Sequence, residues 1–179
     1  MHMSRQLIIG GRRFWWKKVC FLILCASSGF AQSVSSDPWH PLRFLIGTWD
    51  AKTQGGSAGA SGSGSYSFQL ELRDHVLARH SSGAGCKGPA DFDCEHGDLL
   101  YVYQDAPDQP YKAIYFDNEG HVMHYDVSIP GPGSVLFLSG QFRLSYELKG
   151  STMYGKFQMH GPGQAEFKSY LEWSGDRKK

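Results

Sequence analysis

Apolar and polar residues alternate in a series of short segments that begins at Gly47 and continues almost to the end of the chain. Alternation with a period of two is typical of strands that bury one face, and no stretch after Gly47 has a convincing helical period. The pattern predicts ten strands, at 47–53, 66–73, 75–82, 98–105, 111–118, 121–129, 135–139, 142–148, 152–160 and 165–174. A short helical turn is expected just before them, from His40 to Ile46.

Turn-forming residues separate these segments. Asp117-Asn118-Glu119-Gly120 suits a type I turn whose glycine takes the left-handed conformation, and Gly or Pro closes most of the other connections. Strands joined this tightly pair with their neighbours in sequence, and a long meander removes its exposed edges by closing on itself. The sequence therefore predicts an all-β fold, an antiparallel up-and-down meander closed into a barrel of about ten strands, with the helical turn plugging one end.

The first 31 residues have the composition of a secretory signal peptide. Five basic residues and no acidic residue accompany a short apolar core at 19–25, and Gly29-Phe30-Ala31 supplies small residues for cleavage after Ala31. The apolar core is shorter than the roughly 20 residues of a membrane span, which favours cleavage over a retained anchor. We expect a periplasmic or extracellular protein, exported by the general route or, given "RRFWWK" at 12–17, the twin-arginine route.

Removal of this leader changes the charge of the chain. The leader holds five of the 18 basic residues, so the remainder has 13 basic and 17 acidic residues, a net charge of −4. That balance argues against a nucleic-acid partner, which would need a basic surface. The predicted organisation is a signal peptide at 1–31, a polar linker at 32–40, a single β-barrel domain at 41–176 and a basic tail at 177–179, with no membrane span after the leader.

The stretch Phe44-Leu45-Ile46-Gly47-Thr48-Trp49-Asp50 carries a family resemblance. A helical turn, then Gly-x-Trp entering the first strand, then an antiparallel meander resembles the lipocalin and fatty-acid-binding (calycin-like) superfamily. Within it, "PLRFLIGTWDAKTQGG" looks most like nitrobindin-type barrels and related secreted bacterial lipocalin-like proteins. The resemblance implies that Trp49 packs across one end of the barrel as a floor and that Gly47 lets the chain pass closely.

The same resemblance raises the question of haem. Nitrobindins bind haem through a His near the C-terminal strand, where this chain has Tyr170. Tyr can ligate haem iron, but strict alternation would place Tyr170 on the outer face with Glu172, and His160 on the outer face with Gln158. We therefore expect no haem or other cofactor.

Cys86 and Cys94 are the two cysteines that remain after the leader. In an exported chain a disulfide is the expected state of such a pair. A metal site formed by both cysteines with His96 and Asp98 is the alternative, although the spacing is not that of compact zinc modules.

Two kinds of segment offer weak catalytic candidates. His121, His124, Asp117 and Asp126 could act as acid–base groups at a barrel mouth, with His124 and Asp126 on one face because they lie two residues apart. The run Gly55-Gly56-Ser57-Ala58-Gly59 formally matches a nucleophile motif, but no helix follows it, so we expect a flexible loop that could act as a mobile lid over one barrel end.

Aromatic and Met residues spread over many strands are the strongest functional signal. Large rings with polar tips suit the lining of a barrel pocket, although a filled core without a pocket would have the same pattern. The sequence thus favours a non-catalytic protein that binds a small hydrophobic or amphipathic molecule, ahead of a barrel-mouth enzyme or a structural module. The predicted lining residues are Tyr66, Phe68, Tyr101, Tyr103, Tyr115, Phe116, Met123, Tyr125, Phe142, Phe157, Met159 and Phe167.

Overall fold

The computed structural model describes residues 37–90 and 92–179. The predicted signal peptide and its cleavage site lie outside these residues. Within the described residues no helix has the length and apolar character needed to cross a membrane.

Ten antiparallel strands form a closed barrel, which confirms the predicted fold class. Each strand pairs with its neighbours in sequence, and β1 pairs with β10 to close the sheet. One short 3-10 helix, His40–Leu45, precedes the barrel. The strands are β1 Gly47–Gly55, β2 Ser61–Glu71, β3 Val76–Lys87, β4 Asp98–Tyr103, β5 Lys112–Asp117, β6 Val122–Gly131, β7 Ser134–Ser139, β8 Phe142–Lys149, β9 Thr152–Met159 and β10 Lys168–Arg177.

The Gly- and Ser-rich segment differs from its prediction. Strand β2 begins at Ser61 and its partner β3 runs on to Lys87, so these small residues form a ladder rather than a loop. The preceding turn is also held in place, because the main-chain N–H groups of Ser57 and Ala58 donate to the carbonyls of Ser169 and Tyr170 at 3.0 and 2.9 Å. Residues 56–60 form the turn between β1 and β2, so the loop predicted for Gly55 to Gly59 is confirmed there, and its role as a lid stays a prediction.

The 3-10 helix covers one end of the barrel, which we call the closed end. Leu42, Leu45 and Trp49 are fully buried there. The indole Nε1 of Trp49 donates to the carbonyl of Leu45 at 2.8 Å, which ties the first strand to the helix. The Trp49 side chain thus forms the floor that the sequence motif implied.

Arg177 seals this floor from outside. Its guanidinium lies 4.3 Å from the centre of the Trp49 ring and donates to the carbonyls of Phe44 and Ile46. Gly47 leaves room for it, because a Cβ there would lie 2.5 Å from Arg177 Nη1, and Gly47 also has a φ of +132°. Arg177 is therefore part of β10 and not of a solvated tail as predicted.

The two halves of the barrel interior are packed differently. In the closed half the inward side chains are almost completely buried, as for Trp49, Phe68, Leu77, Val102, Val135 and Met153. Towards the opposite end, which we call the open end, inward residues such as Ala51, Phe157 and Leu171 are only half-buried. The closed half is thus a filled core, while the open half of the lumen is reached by solvent.

Candidate functional site

A buried ion pair lies inside the barrel where its two halves meet. Alternation along β3 places Arg79 on the inner face two residues after the buried Leu77, and Asp98 begins β4 beside it. The Arg79 guanidinium donates to a carboxylate oxygen of Asp98, and each side chain is only 8% exposed. Charges buried this deeply require a partner, because an isolated one would be costly in a medium of low dielectric constant.

The environment keeps both groups ionised. Burial on its own would raise the pKa of Asp98, but Arg79 and His96 outweigh burial and hold that pKa below its usual range. Burial on its own would lower the pKa of Arg79, and the Asp98 carboxylate reverses this. The lumen therefore contains a fixed dipole rather than a net charge at this point.

Aromatic hydroxyl groups surround this ion pair. The guanidinium carbon of Arg79 lies 5.4 Å from the ring centre of Tyr66 and 5.9 Å from that of Tyr146. Burial raises the pKa of Tyr66 to about 12 and raises that of Tyr146 further still. Both phenols are therefore neutral at physiological pH and can donate or accept a hydrogen bond.

Four polar atoms in this region are buried without a hydrogen bond of good geometry among the described residues, although the Trp173 indole N–H lies close enough to the Tyr66 hydroxyl to interact with it. They are the hydroxyls of Tyr66 and Tyr146, Nε of Arg79 and the indole Nε1 of Trp173. Their side chains are contiguous, since the ring of Tyr146 lies 5.8 Å from that of Tyr66 and 5.8 Å from that of Trp173. We call these four residues the lumen cluster.

Gly155 makes the position of Trp173 possible. Trp173 lies opposite Gly155 in the β9–β10 ladder, and its indole crosses the space where a side chain would stand. A Cβ at Gly155 would lie 2.1 to 2.4 Å from three atoms of the Trp173 indole. The "MYGKF" segment of β9 thus needs its glycine for packing against the lumen cluster.

A second polar group links the interior to the rim of the open end. Nε2 of His96 lies 3.1 Å from the Tyr115 hydroxyl and 3.7 Å from an oxygen of Asp98, while its Nδ1 lies 3.2 Å from Glu119. The interaction with the Asp98 carboxylate outweighs burial and, with Glu119, raises the pKa of His96 to about 9. His96 is thus cationic at neutral pH, between a buried and an exposed carboxylate.

Most of the predicted lining residues do face the interior. Tyr66, Tyr115 and Tyr125 lie around the ion pair, and Phe68 is packed in the closed half. At the open end Phe142 and Phe157 stack with ring centres 5.9 Å apart. Met123 and Met159, also half-buried, occupy inward positions of β6 and β9 near the rim.

Four predicted lining residues lie elsewhere. Tyr101 and Tyr103 alternate with the buried Leu100 and Val102, so they are on the outer face, as is Phe116, which is 36% exposed. Phe167 precedes β10 and contacts Arg143, whose guanidinium lies 4.3 Å from its ring, and His160. These assignments were wrong because aromatic character marks strands without specifying the face.

The catalytic candidates do not form a site in the lumen. His124 and Asp126 are exposed on the outer face of β6, where they border a shallow depression of about 260 Å³ with Lys112. Asp117 and His121 are paired at 2.9 Å in the β5–β6 turn. The proposed His124–Asp126 pair therefore does not reach the interior.

The cysteine prediction is confirmed, because Cys86 and Cys94 lie at disulfide distance with Cα atoms 5.3 Å apart. The alternative metal site that used both thiols is thereby excluded. The bridge connects the end of β3 to the loop that carries His96.

The predicted face of Tyr170 is wrong. A bulge between Ser169 and Leu171 adds one unpaired residue to β10. This shifts the alternation, and the Tyr170 ring contacts the inward Phe157 with ring centres 6.2 Å apart. Tyr170 thus joins the half-buried wall of the open end.

Comparison with known proteins finds no family model that matches this chain and no curated protein sequence that matches it. The closed ten-strand antiparallel barrel is compatible with a lipocalin-like fold.

Sequence reasoning missed Arg79, Tyr146 and Trp173 as members of a site, and it placed Asp98 only in the alternative metal site with the cysteines. One signal was available, since Arg79 occupies an inward position of "VLARHSS" between Leu77 and Ser81. A charged residue at a core position of a strand needs a partner of opposite charge, so such a position indicates a buried ion pair.

Proposed function

We propose that this protein is exported and binds a small, partly apolar molecule in the open half of its barrel, without catalysing a reaction. The observation that carries the proposal is the lumen cluster, in which Arg79 Nε and the Tyr146 hydroxyl are buried without a partner in the described part of the chain, beside the poorly aligned pair of the Tyr66 hydroxyl and the Trp173 indole. A buried polar atom left without a hydrogen bond costs about 1–3 kcal/mol, so such a group of atoms in one place calls for a ligand or ordered water.

The chemistry of the cluster selects the polar part of the ligand. Arg79 Nε and Trp173 Nε1 can only donate, and the hydroxyls of Tyr66 and Tyr146 can donate as well. A ligand oxygen that accepts hydrogen bonds, such as that of a carbonyl or carboxylate, would satisfy several of these donors at once. A ligand amine, which brings further donors and a positive charge, would not.

The wall of the open half suits the apolar part of the ligand. Phe142, Phe157, Tyr170 and Leu171 present half-buried apolar surface between the lumen cluster and the rim. Burying such surface is worth roughly 25 cal/mol per Å², so an alkyl or aromatic tail lying against it would add affinity.

The non-catalytic part of the proposal rests on where the acid–base candidates lie. His124 and Asp126 are on the outer face, and Asp98 is engaged by Arg79 and His96. The export part rests on the composition of residues 1–31, and we propose a periplasmic or extracellular location on that basis.

Three ten-carbon probes that differ in their polar end test the proposal. Decanoate and methyl decanoate should bind saturably to the purified protein in isothermal titration calorimetry, whereas decylamine should not. Tyr146→Phe should weaken binding about fivefold or more, since a hydrogen bond is worth about 1 kcal/mol. Tyr154→Phe is the matched control, because Tyr154 is 40% exposed on the outer face of the barrel, and it should bind like wild type.

A stability measurement separates lost binding from lost folding. Tyr146→Phe removes a buried hydroxyl that has no partner in the described structure, so the empty variant should be at least as stable to urea as wild type. Equal binding of decylamine and decanoate, or wild-type affinity in Tyr146→Phe, would contradict the proposed role of the lumen cluster.

A further inference from the structure

The rim of the open end holds a second cluster of polar side chains, which lies outside the lumen cluster. Asp93 and His96 come from the loop between β3 and β4, and Glu119 comes from the turn between β5 and β6. Each offers one ligand atom, and these atoms all lie within 4.8 Å of one another. We call these three residues the rim group.

We propose that Asp93, His96 and Glu119 bind a divalent transition-metal ion, with Zn²⁺ the best suited. The set combines one imidazole and two carboxylates, all of which are ligands that Zn²⁺ accepts at about 2.0–2.2 Å. Two ligands of a tetrahedral ion at that distance are about 3.4 Å apart. Nδ1 of His96 lies 3.2 Å from Oε1 of Glu119, so this pair needs little movement to share an ion.

The surroundings of His96 support a ligand role for Nδ1. Its other ring nitrogen, Nε2, lies 3.1 Å from the Tyr115 hydroxyl and 3.7 Å from Asp98, whose carboxylate is buried and paired with Arg79. Metal-binding histidines usually donate their second N–H to a carboxylate or similar group, which fixes the ring and the tautomer. In this protein Tyr115 and Asp98 contact Nε2 from inside the barrel, and Nδ1 faces Glu119 at the rim.

Access and rigidity are also suitable. Glu119 is exposed and the His96 side chain is 36% exposed, so an ion could enter directly from solvent. Asp93 adjoins Cys94, whose disulfide with Cys86 restrains the loop. Three protein ligands would leave a coordination position for water or for an atom of another molecule.

The neighbouring histidine His121 provides a matched control. It could form a different group with Asp117 and Glu119. However, Asp117 is engaged within its own turn, where it accepts from the main-chain N–H groups of Glu119 and His121 and from the His121 ring. The His121 side chain is 61% exposed, and its Nδ1 is already paired at 2.9 Å with the buried Asp117 carboxylate, so that nitrogen is not free for an ion. The proposal therefore assigns the ion to His96 and not to His121.

Because His96 is cationic at neutral pH, the ion must displace its Nδ1 proton to the buffer, and calorimetric titration of the purified, chelator-treated protein with ZnCl₂ at neutral pH tests this assignment. We expect one ion per chain, with affinity lowered at least tenfold in His96→Gln and in Glu119→Gln and within twofold of wild type in His121→Gln. CaCl₂ should bind much more weakly, because a hard cation prefers oxygen ligands to imidazole. Zn²⁺ should also raise the thermal midpoint of wild type and of His121→Gln but not that of His96→Gln.

Several results would overturn the proposal. They are the absence of saturable Zn²⁺ binding by the wild type, wild-type affinity in His96→Gln, and an equal loss in His121→Gln and His96→Gln. The last result would mean that both histidines hold the ion, whereas a loss in His121→Gln alone would move it to the Asp117 group. Circular dichroism of the metal-free variants checks that each is folded. Since the lumen probes report on other residues, a failure here leaves the proposed function untouched.

Discussion

Replacing Trp49 by alanine removes the floor of the closed end, and the structure allows its cost to be worked out. The Trp49 side chain is 0% exposed, so the substitution opens a large cavity, which typically costs about 3–5 kcal/mol for Trp or Phe. It also removes the hydrogen bond to the Leu45 carbonyl and the ring beneath Arg177. A domain of this size has about 5–15 kcal/mol of stability, so we expect a loss of about a fifth of the total or more.

The assay is equilibrium unfolding in urea, followed by far-ultraviolet circular dichroism so that losing an indole does not affect the signal. Trp49→Phe keeps most of the volume and loses the indole N–H, so it should cost less, about 1–3 kcal/mol. Tyr154→Ala truncates an aromatic residue that is exposed on the outer face, and it should change the free energy of unfolding by no more than about 0.5 kcal/mol.

The expected order of free-energy loss is thus Trp49→Ala, Trp49→Phe, then Tyr154→Ala. A loss below about 1 kcal/mol in Trp49→Ala would refute the reasoning, because no large buried side chain can be removed from a packed end at so small a cost. Equal losses in Trp49→Ala and Tyr154→Ala would do the same.

Three further predictions concern the rest of the barrel. Gly155→Ala should cost about 1–3 kcal/mol in urea unfolding because its Cβ meets the Trp173 indole, and Trp173→Leu in the same chain should recover most of that loss. The pKa of His96 is raised to about 9, so the stabilisation of the fold by the charged His96 ring is complete below about pH 6.5 and is lost as the pH rises through 9. The thermal midpoint of the wild type should fall over that range, and His96→Gln should show a smaller fall. Replacing both Cys86 and Cys94 by Ser should lower the free energy of unfolding by about 2–3 kcal/mol, the chain-entropy value for a loop this short, and an unchanged urea midpoint would contradict this.

The strands and the barrel closure could be predicted because antiparallel strands with one buried face show alternating apolar and polar residues in the sequence. The prediction fails where this alternation is missing. From Ser61 to Ser65 no apolar residue alternates with the polar ones, so the pattern does not predict the first five residues of β2 as a strand. At Tyr170 a one-residue bulge reverses the face, and nothing in the residue types announces it.

The candidate site was harder to predict because it depends on contacts between strands. Arg79 and Asp98 are 19 residues apart and meet only because β3 and β4 pair in one register, with Arg79 opposite Leu100. Alternation could place Arg79 inside but could not say which of the acidic residues would meet it. The same holds for Trp173, which depends on a glycine in the adjacent strand.

Packing at the closed end of the barrel offsets the free-energy cost of the lumen cluster. The lumen cluster holds buried polar atoms without good hydrogen bonds in the described structure, and these cost free energy when the lumen is empty. A fold can keep such a cluster only if packing elsewhere offsets it, and the filled closed half around Trp49 is the part that can do so. It follows that Tyr146→Phe should partly compensate Trp49→Phe in the double variant, with a measurable departure from additivity because both side chains pack against Tyr66. The motif at the closed end therefore supports the candidate binding site indirectly, by supplying the stability that an unsatisfied lumen requires.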